Sequence, residues 1–256
     1  MIGDIVKRTK MKKQIQLWIL TVFLTFAIVL LPHARTAYAD SSLSMRQILK
    51  RTESHYQGVN AFTADFLQLT TSAATNTITT EASGILYYEK PRQMRWEYKT
   101  PDAQIFVAND GLAWLYVPSE RQISLFDART FFDSPLAQTF FDGISGLQKH
   151  FEVSLDPAQS NLSTAVLKLV PKKEDPNIKR LRLWVDLKSH QINRIETQDA
   201  LANTNLIVLK SQEPASDLKS DLFQLNVPPS TLVVDTQGRE LSQSEIEKLK
   251  AKLLQK

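Results

Sequence analysis

Apolar and polar positions alternate strictly from Met94 to Lys99. Met94, Trp96 and Tyr98 fall on one face, and Arg95, Glu97 and Lys99 on the other. Period two is the mark of a strand with one buried face. Just upstream, Leu86 and Tyr88 share one face while Ile85 and Tyr87 share the other. That strand is apolar on both sides, so it either packs on each face or lines a space that protein does not fill. Lys90-Pro91-Arg92-Gln93 is the turn between the two strands, with a proline that cannot donate to a ladder. The same period recurs over 60–70, where Phe62, Ala64, Phe66 and Gln68 share a face, and over 104–108, 112–117 and 122–126. Trp114 and Tyr116 are in phase with each other, and we expect them on the face that carries Trp96. Residues 71–80 are polar and threonine-rich and read as a loop or a ragged strand end. Asn109-Asp110-Gly111 is a strong hairpin signal. Connections this short predict an antiparallel meander. Strands resume over 151–155, 165–170, 179–186, 191–198 and 204–211, then two short ones over 221–227 and 231–235.

The period changes in three places. Residues 42–56 place Met45, Ile48, Leu49, Thr52 and Tyr56 in a helical stripe, with Ser44 and Gln47 spaced as a capping box and Gly58 as the stop. Alternation breaks again at Ala128. Ser134-Pro135 is a helix start, Leu136, Phe140 and Phe141 form its apolar stripe, and Gly143 ends it. With Phe131, Phe132 and Ile144 this segment is rich in apolar residues and fits either a cap on the sheet core or a movable lid over a cavity. Residues 236–256 form a charged tail in which Leu241, Ile246, Leu249 and Leu253 are loosely in phase, a helix or a frayed end. The fold class is therefore mainly β with α, about 11 strands in one antiparallel sheet. A sheet that long curls, and an apolar concave face then packs around something or holds a ligand.

The first 39 residues change the charge argument. Lys7, Arg8, Lys10, Lys12 and Lys13 precede an apolar run over 15–31, and Ala37-Tyr38-Ala39 is a small-x-small site. These are the three regions of a secretory signal peptide cleaved after Ala39; the competing reading is an uncleaved anchor. Residues 40–256 then form one domain in the periplasm. The whole chain holds 31 basic and 27 acidic residues, of which the leader has six basic and one acidic. From residue 40 onward the balance is 25 to 26, which removes the electrostatic case for a nucleic-acid partner. Cysteine is absent, so disulfides, thiolate metal sites, thiol nucleophiles and an N-terminal lipid anchor are excluded.

No constellation of catalytic groups stands out. His55, His150 and His190 lie in a helix end, a strand start and a turn, without metal-ligand spacing, and read as surface residues. A nucleophile elbow and a glycine-rich phosphate loop are both missing. We expect no enzyme, no metal and no cofactor. What remains is an apolar inventory assigned to one face: Phe62, Phe66, Leu86, Tyr88, Met94, Trp96, Trp114, Tyr116, Phe140 and Phe141. An ordinary core explains it. An adaptable cavity lined by methionine and aromatics explains it too. Lys90, in phase with Leu86 and Tyr88, puts a cation at the rim of that face.

In order and spacing, several segments resemble the periplasmic outer-membrane lipoprotein carrier family, LolA. They are the leading helix, Phe62-Thr63-Ala64-Asp65-Phe66-Leu67-Gln68, Gly84-Ile85-Leu86-Tyr87-Tyr88, Lys90-Pro91, Arg95-Trp96-Glu97, Pro101-Asp102, Asp110-Gly111, Trp114-Leu115-Tyr116, Ser134-Pro135-Leu136, Leu222-Phe223-Gln224-Leu225 and Val227-Pro228-Pro229. The resemblance implies an incomplete β-barrel with covering helices and a hydrophobic cavity for the acyl chains of lipoproteins. It implies a monomer that takes lipoproteins from an inner-membrane ABC transporter complex (LolCDE-like) and passes them to an outer-membrane acceptor (LolB-like). It also makes Lys90 and Met94 the positions that govern lid closure and directional transfer, where several members have arginine and phenylalanine. Lysine lacks the planar multi-donor contact of arginine, which leaves closure weaker here or shared with Arg92. A carrier or sensor of another lipid on the same scaffold is the alternative reading.

Overall fold

The computed structural model describes residues 43–109, 111–132, 146–175, 177–216 and 218–254, all within one compact unit, Leu43–Lys256. The leader and the segment with Ser134-Pro135, Leu136, Phe140 and Phe141 lie outside the described residues. Among those described, twelve strands form one sheet. The first eleven are β1 (Ala61–Ser72), β2 (Thr77–Glu89), β3 (Gln93–Thr100), β4 (Gln104–Ala108), β5 (Leu112–Val117), β6 (Gln122–Asp127), β7 (Phe151–Leu155), β8 (Thr164–Pro171), β9 (Arg180–Asp186), β10 (Ile192–Gln198) and β11 (Thr204–Pro214). The last is β12 (Leu232–Val234). The order is β12-β6-β5-β4-β3-β2-β1-β11-β10-β9-β8-β7, so the sheet has two edges, β12 and β7, and does not close.

Helix α1 (Met45–Gln57) starts where its sequence says. The Ser44 hydroxyl accepts from the Gln47 N–H while the Gln47 side chain accepts from the Ser44 N–H. Two orphan donors are satisfied reciprocally. Among the described residues, the remaining α-helices are α2 (Ala128–Phe132), α3 (Leu147–His150) and α4 (Gln243–Leu254). The tail is thus a helix, fastened by Leu241 and Ile246, both buried.

One alternative is decided and two expectations need correction. Residues 71–80, read as a loop or a ragged strand end, are strand ends: β1 runs to Ser72 and β2 starts at Thr77, with the turn between them. Threonine suits exposed strand arms as well as it suits loops. Residues 221–227 are not a strand but a 3-10 turn (Ser220–Phe223) and irregular chain. Period two over so few residues is also what an extended coil with one anchored side chain looks like, and Phe223 is that anchor. Lastly, the sheet is not wholly antiparallel: the meander β1 to β6 is, but β12 runs parallel to β6. It arrives from a distant part of the sequence, where no hairpin dictates direction.

One face of the sheet packs as a single cluster from β3 to β8. Phe62, Ala64, Phe66, Leu86, Tyr88 and Met94 join Leu167, Leu169, Leu181, Leu183, Ile195 and Leu209, with Ile48 of α1 among them. The β2–β3 turn and β10 both reach this helix, through Lys90 and Ile192, because the sheet curls around it. Among the described residues, the C-terminal segment covers one half of the opposite face. There Val107, Trp114, Ile123 and Leu125 pack against Phe223, Val233, Leu241 and Ile246 from the C-terminal segment. On β8 to β10 the same face carries polar pairs instead, with Arg182 joining Asp156 and Glu196.

Candidate functional site

Cross-strand pairing assembles the aromatic wall. Phe62 lies opposite Tyr88, Ala64 opposite Leu86, Leu86 opposite Trp96, and Tyr88 opposite Met94. The Phe62 and Tyr88 rings stack with centroids 5.0 Å apart. Phe66 meets Trp96 and Tyr98 edge-on, at 4.8 and 5.0 Å. Such contacts add about 0.5–1.5 kcal/mol each beyond burial. The Phe66 ring fits because residue 84, opposite it, is glycine. A Cβ there would fall 2.9 Å from Phe66 and 1.8 Å from the Glu97 carbonyl oxygen. The Trp96 indole N–H donates toward the Met94 sulfur at 2.8 Å. The Tyr98 hydroxyl donates to Gln68, which donates on to Asn205. Burial raises the Tyr98 hydroxyl above its ordinary pKa. The wall is apolar with one polar chain along its edge.

The rim is built by α1 and the β2–β3 turn. Lys90 donates from Nζ to the carbonyl oxygens of Tyr56 (2.9 Å) and Gln57 (3.2 Å), the last turn of α1. A cation on orphan C-terminal carbonyls is the favourable end of the helix dipole. The compact ammonium thus satisfies two acceptors without the arginine fork. Tyr56 then locks the helix to the far side of the curl. Its hydroxyl accepts the Ile192 N–H at 3.0 Å and donates to Gln212, whose amide donates back to the Ile192 carbonyl. Burial pushes the Tyr56 hydroxyl up to about 12. Arg92 does not reach those carbonyls in any contact described; its guanidinium lies over the Phe132 ring, 5.7 Å from the centroid.

The structure brings together Phe62, Phe66, Leu86, Tyr88, Met94 and Trp96, with Lys90 at the rim. It does not add Trp114 and Tyr116 to that face. Trp114 lies opposite Val107 and Tyr116 opposite Ile105, and Val107 lies opposite Arg95, so both point away from Trp96. The cause is turn parity. Asn109 donates to the Leu112 carbonyl and Ala108 lies opposite Ala113, so a two-residue loop joins even-numbered β4 positions to odd-numbered β5 positions. Alternation within a strand leaves its absolute face open; the loop length decides it. Counting across that loop would have replaced the pair by Phe106, Leu115 and Phe126, with Phe132 of α2 beside them. Arg95 was missed as well. It donates to the Leu222 carbonyl at 3.0 Å, while the Asn109 amide donates to that of Phe223, and together they pin the 3-10 turn to the outer face. Phe140 and Phe141 are outside the described residues.

No group of three or more potential metal ligands occurs among the described residues. The site's chemistry is apolar contact framed by hydrogen bonds.

A family model described as "Outer membrane lipoprotein carrier protein LolA" matches residues 57–226. An outer-membrane lipoprotein carrier protein of Actinobacillus pleuropneumoniae is 27% identical over 219 residues, covering 86% of this chain and 95% of that one. One of Cupriavidus necator is 25% identical over 178 residues, covering 69% and 82%. A LolA superfamily protein from Nitrosomonas europaea superposes with a TM-score of 0.41 at 12% identity, over 72% of this chain and 99% of that one. With two-thirds of its length matched, the chain belongs to the LolA family of outer membrane lipoprotein carrier proteins.

Proposed function

We propose that this protein is a periplasmic carrier that takes the acyl chains of lipoproteins released from the inner membrane and delivers them to the outer membrane. The observation that carries the reading is the aromatic and aliphatic wall of β1, β2 and β3, roofed by α1, whose last turn Lys90 holds at the rim. Acyl chains would take the place of α1 side chains against Phe62, Phe66, Leu86, Tyr88, Met94 and Trp96. The donor is an inner-membrane ABC transporter complex and the acceptor an outer-membrane lipoprotein receptor. Nothing in the wall offers a nucleophile beside a base, so the reading is transport without turnover.

The test is release from spheroplasts that hold lipoproteins in the inner membrane. ATP-dependent appearance of lipoproteins in the soluble fraction, one per carrier, is the expected result. No release by folded protein from spheroplasts with an active transporter would sink the reading. Hydrolysis of short acyl esters by the purified protein would replace it with an esterase.

A further inference from the structure

A second site lies outside the acyl wall. Along the outer side of α1, Lys50, Arg51, Ser54 and His55 face Ser189 and His190 of the β9–β10 turn across an open groove of about 500 Å³. Its lining is four nitrogen bases and two hydroxyls, without one carboxylate. Lys50 and Arg51 are exposed, and neither makes a hydrogen bond or an ion pair. Burial and the nearby His190 hold the His55 imidazole below its usual pKa. Asp186, which interacts with His190, has its Oδ1 taken by the Lys188 and Ser189 N–H groups and the Ser189 hydroxyl. The α1 C-terminal carbonyls of Tyr56 and Gln57, which would repel an anion, are already taken by Lys90. The groove is therefore a cluster of donors short of an acceptor. The chain beyond residue 39 is close to neutral, so this excess is local and not a general basicity.

We infer that this groove binds a phosphate group, that of an anionic phospholipid at the membrane surface, through Lys50, Arg51, His55 and His190. A phosphate offers several acceptor oxygens and full negative charge to such a donor set, and the Ser54 hydroxyl adds one further donor. Bound there, the headgroup would set the α1 rim of the acyl wall against the membrane from which cargo comes. The site does not depend on what fills the wall.

Three probes test it on the purified protein: inorganic phosphate, vesicles of phosphatidylcholine, and the same vesicles with phosphatidylglycerol added. The ring resonances of His55 and His190 are followed in each titration, and vesicle association by sedimentation. The expected result is association with the phosphatidylglycerol vesicles alone, with both rings shifting, and on the order of tenfold weaker association at low salt for the Lys50→Ala/Arg51→Ala double variant. Both side chains are exposed and unpaired, so the variant folds; its unchanged melting temperature is the control. Ring shifts with inorganic phosphate but none with phosphatidylglycerol vesicles would keep the phosphate site and overturn the lipid source. Silent rings with every probe, or vesicle binding that the double variant retains, would overturn the site. Spheroplast release is scored separately, so a failed carrier reading and a failed phosphate site give different results.

Discussion

Two residues show what single atoms do here. Gly84 is required because β1 and β3 close on it from both sides. Gly84→Ala would drive a methyl into the Glu97 carbonyl, and backbone gives way less readily than a flexible side chain. Overpacking of this kind costs about 1–3 kcal/mol, and we expect at least that, with reduced near-ultraviolet signal from the Phe66–Trp96 pair. Chemical denaturation of the variant would check it; wild-type stability would mean that the strands part freely. Tyr56 is the second. Its folded-state pKa of about 12 lies above the ordinary value of 10.0. The protonated form is therefore favoured by folding, so its contribution is complete below pH 10 and disappears as the pH rises toward 12. Tyr56→Phe should cost about 1–2 kcal/mol at neutral pH, because it orphans the Ile192 N–H and the Gln212 side-chain oxygen. The same variant should flatten part of the alkaline loss of stability. Tyr87 and Tyr98, also raised, leave the remainder of that limb in place. A wild-type minus variant difference that stays constant from pH 9 to 12 would remove Tyr56 as its source.

At the scale of elements, α1 is held to the sheet at a few named points. It meets the sheet through the apolar stripe around Ile48, the Tyr56 hydroxyl and the Lys90 ammonium. Lys90→Ala should raise hydrogen exchange in the last turn of α1 without moving that of β1 or β2, at a stability cost of about 1 kcal/mol. Lys90→Arg should restore protection, since any donor pair on those carbonyls serves. Equal protection in the alanine variant would show that the contact does not hold the helix. The capping box and stripe of α1 were legible in the sequence because local chemistry fixes them. So was the wall of β2 and β3, because their three-residue turn keeps even positions facing even. The sides of Trp114 and Tyr116 were not legible from alternation alone, since a two-residue turn inverts parity and only pairing reveals it. Nor could the direction of β12 be read, because a strand returning from far along the chain carries no mark of its partner. Arg95 and Asn109 look like ordinary strand and turn residues until the 3-10 turn they hold is seen.

At the scale of the whole molecule, the two faces of the sheet have different fates. The C-terminal segment buries Trp114 and Val107 on the outer face, whereas α1 packs on the aromatic wall, where acyl chains are proposed to replace it. A carrier needs that asymmetry. Each acyl methylene withdrawn from water contributes about 0.8 kcal/mol, so long chains fully enclosed in a rigid cavity would never be handed on. If the wall already packs against α1, cargo gains only the difference between two apolar partners, and transfer downhill becomes feasible. The consequence is measurable. Lipoprotein loading should lower exchange protection in α1, residues 45–57, while β1 and the outer-face cluster stay protected. Met94→Asp is a poor test of loading, because Met94 is only 8% exposed and a carboxylate there would itself destabilise the wall. Met94→Leu keeps the volume and removes only the sulfur that accepts from Trp96, so it should fold normally and load with altered efficiency. Loaded protein whose α1 remains as protected as the empty form would mean that cargo sits elsewhere, and the roofed wall would then be core alone.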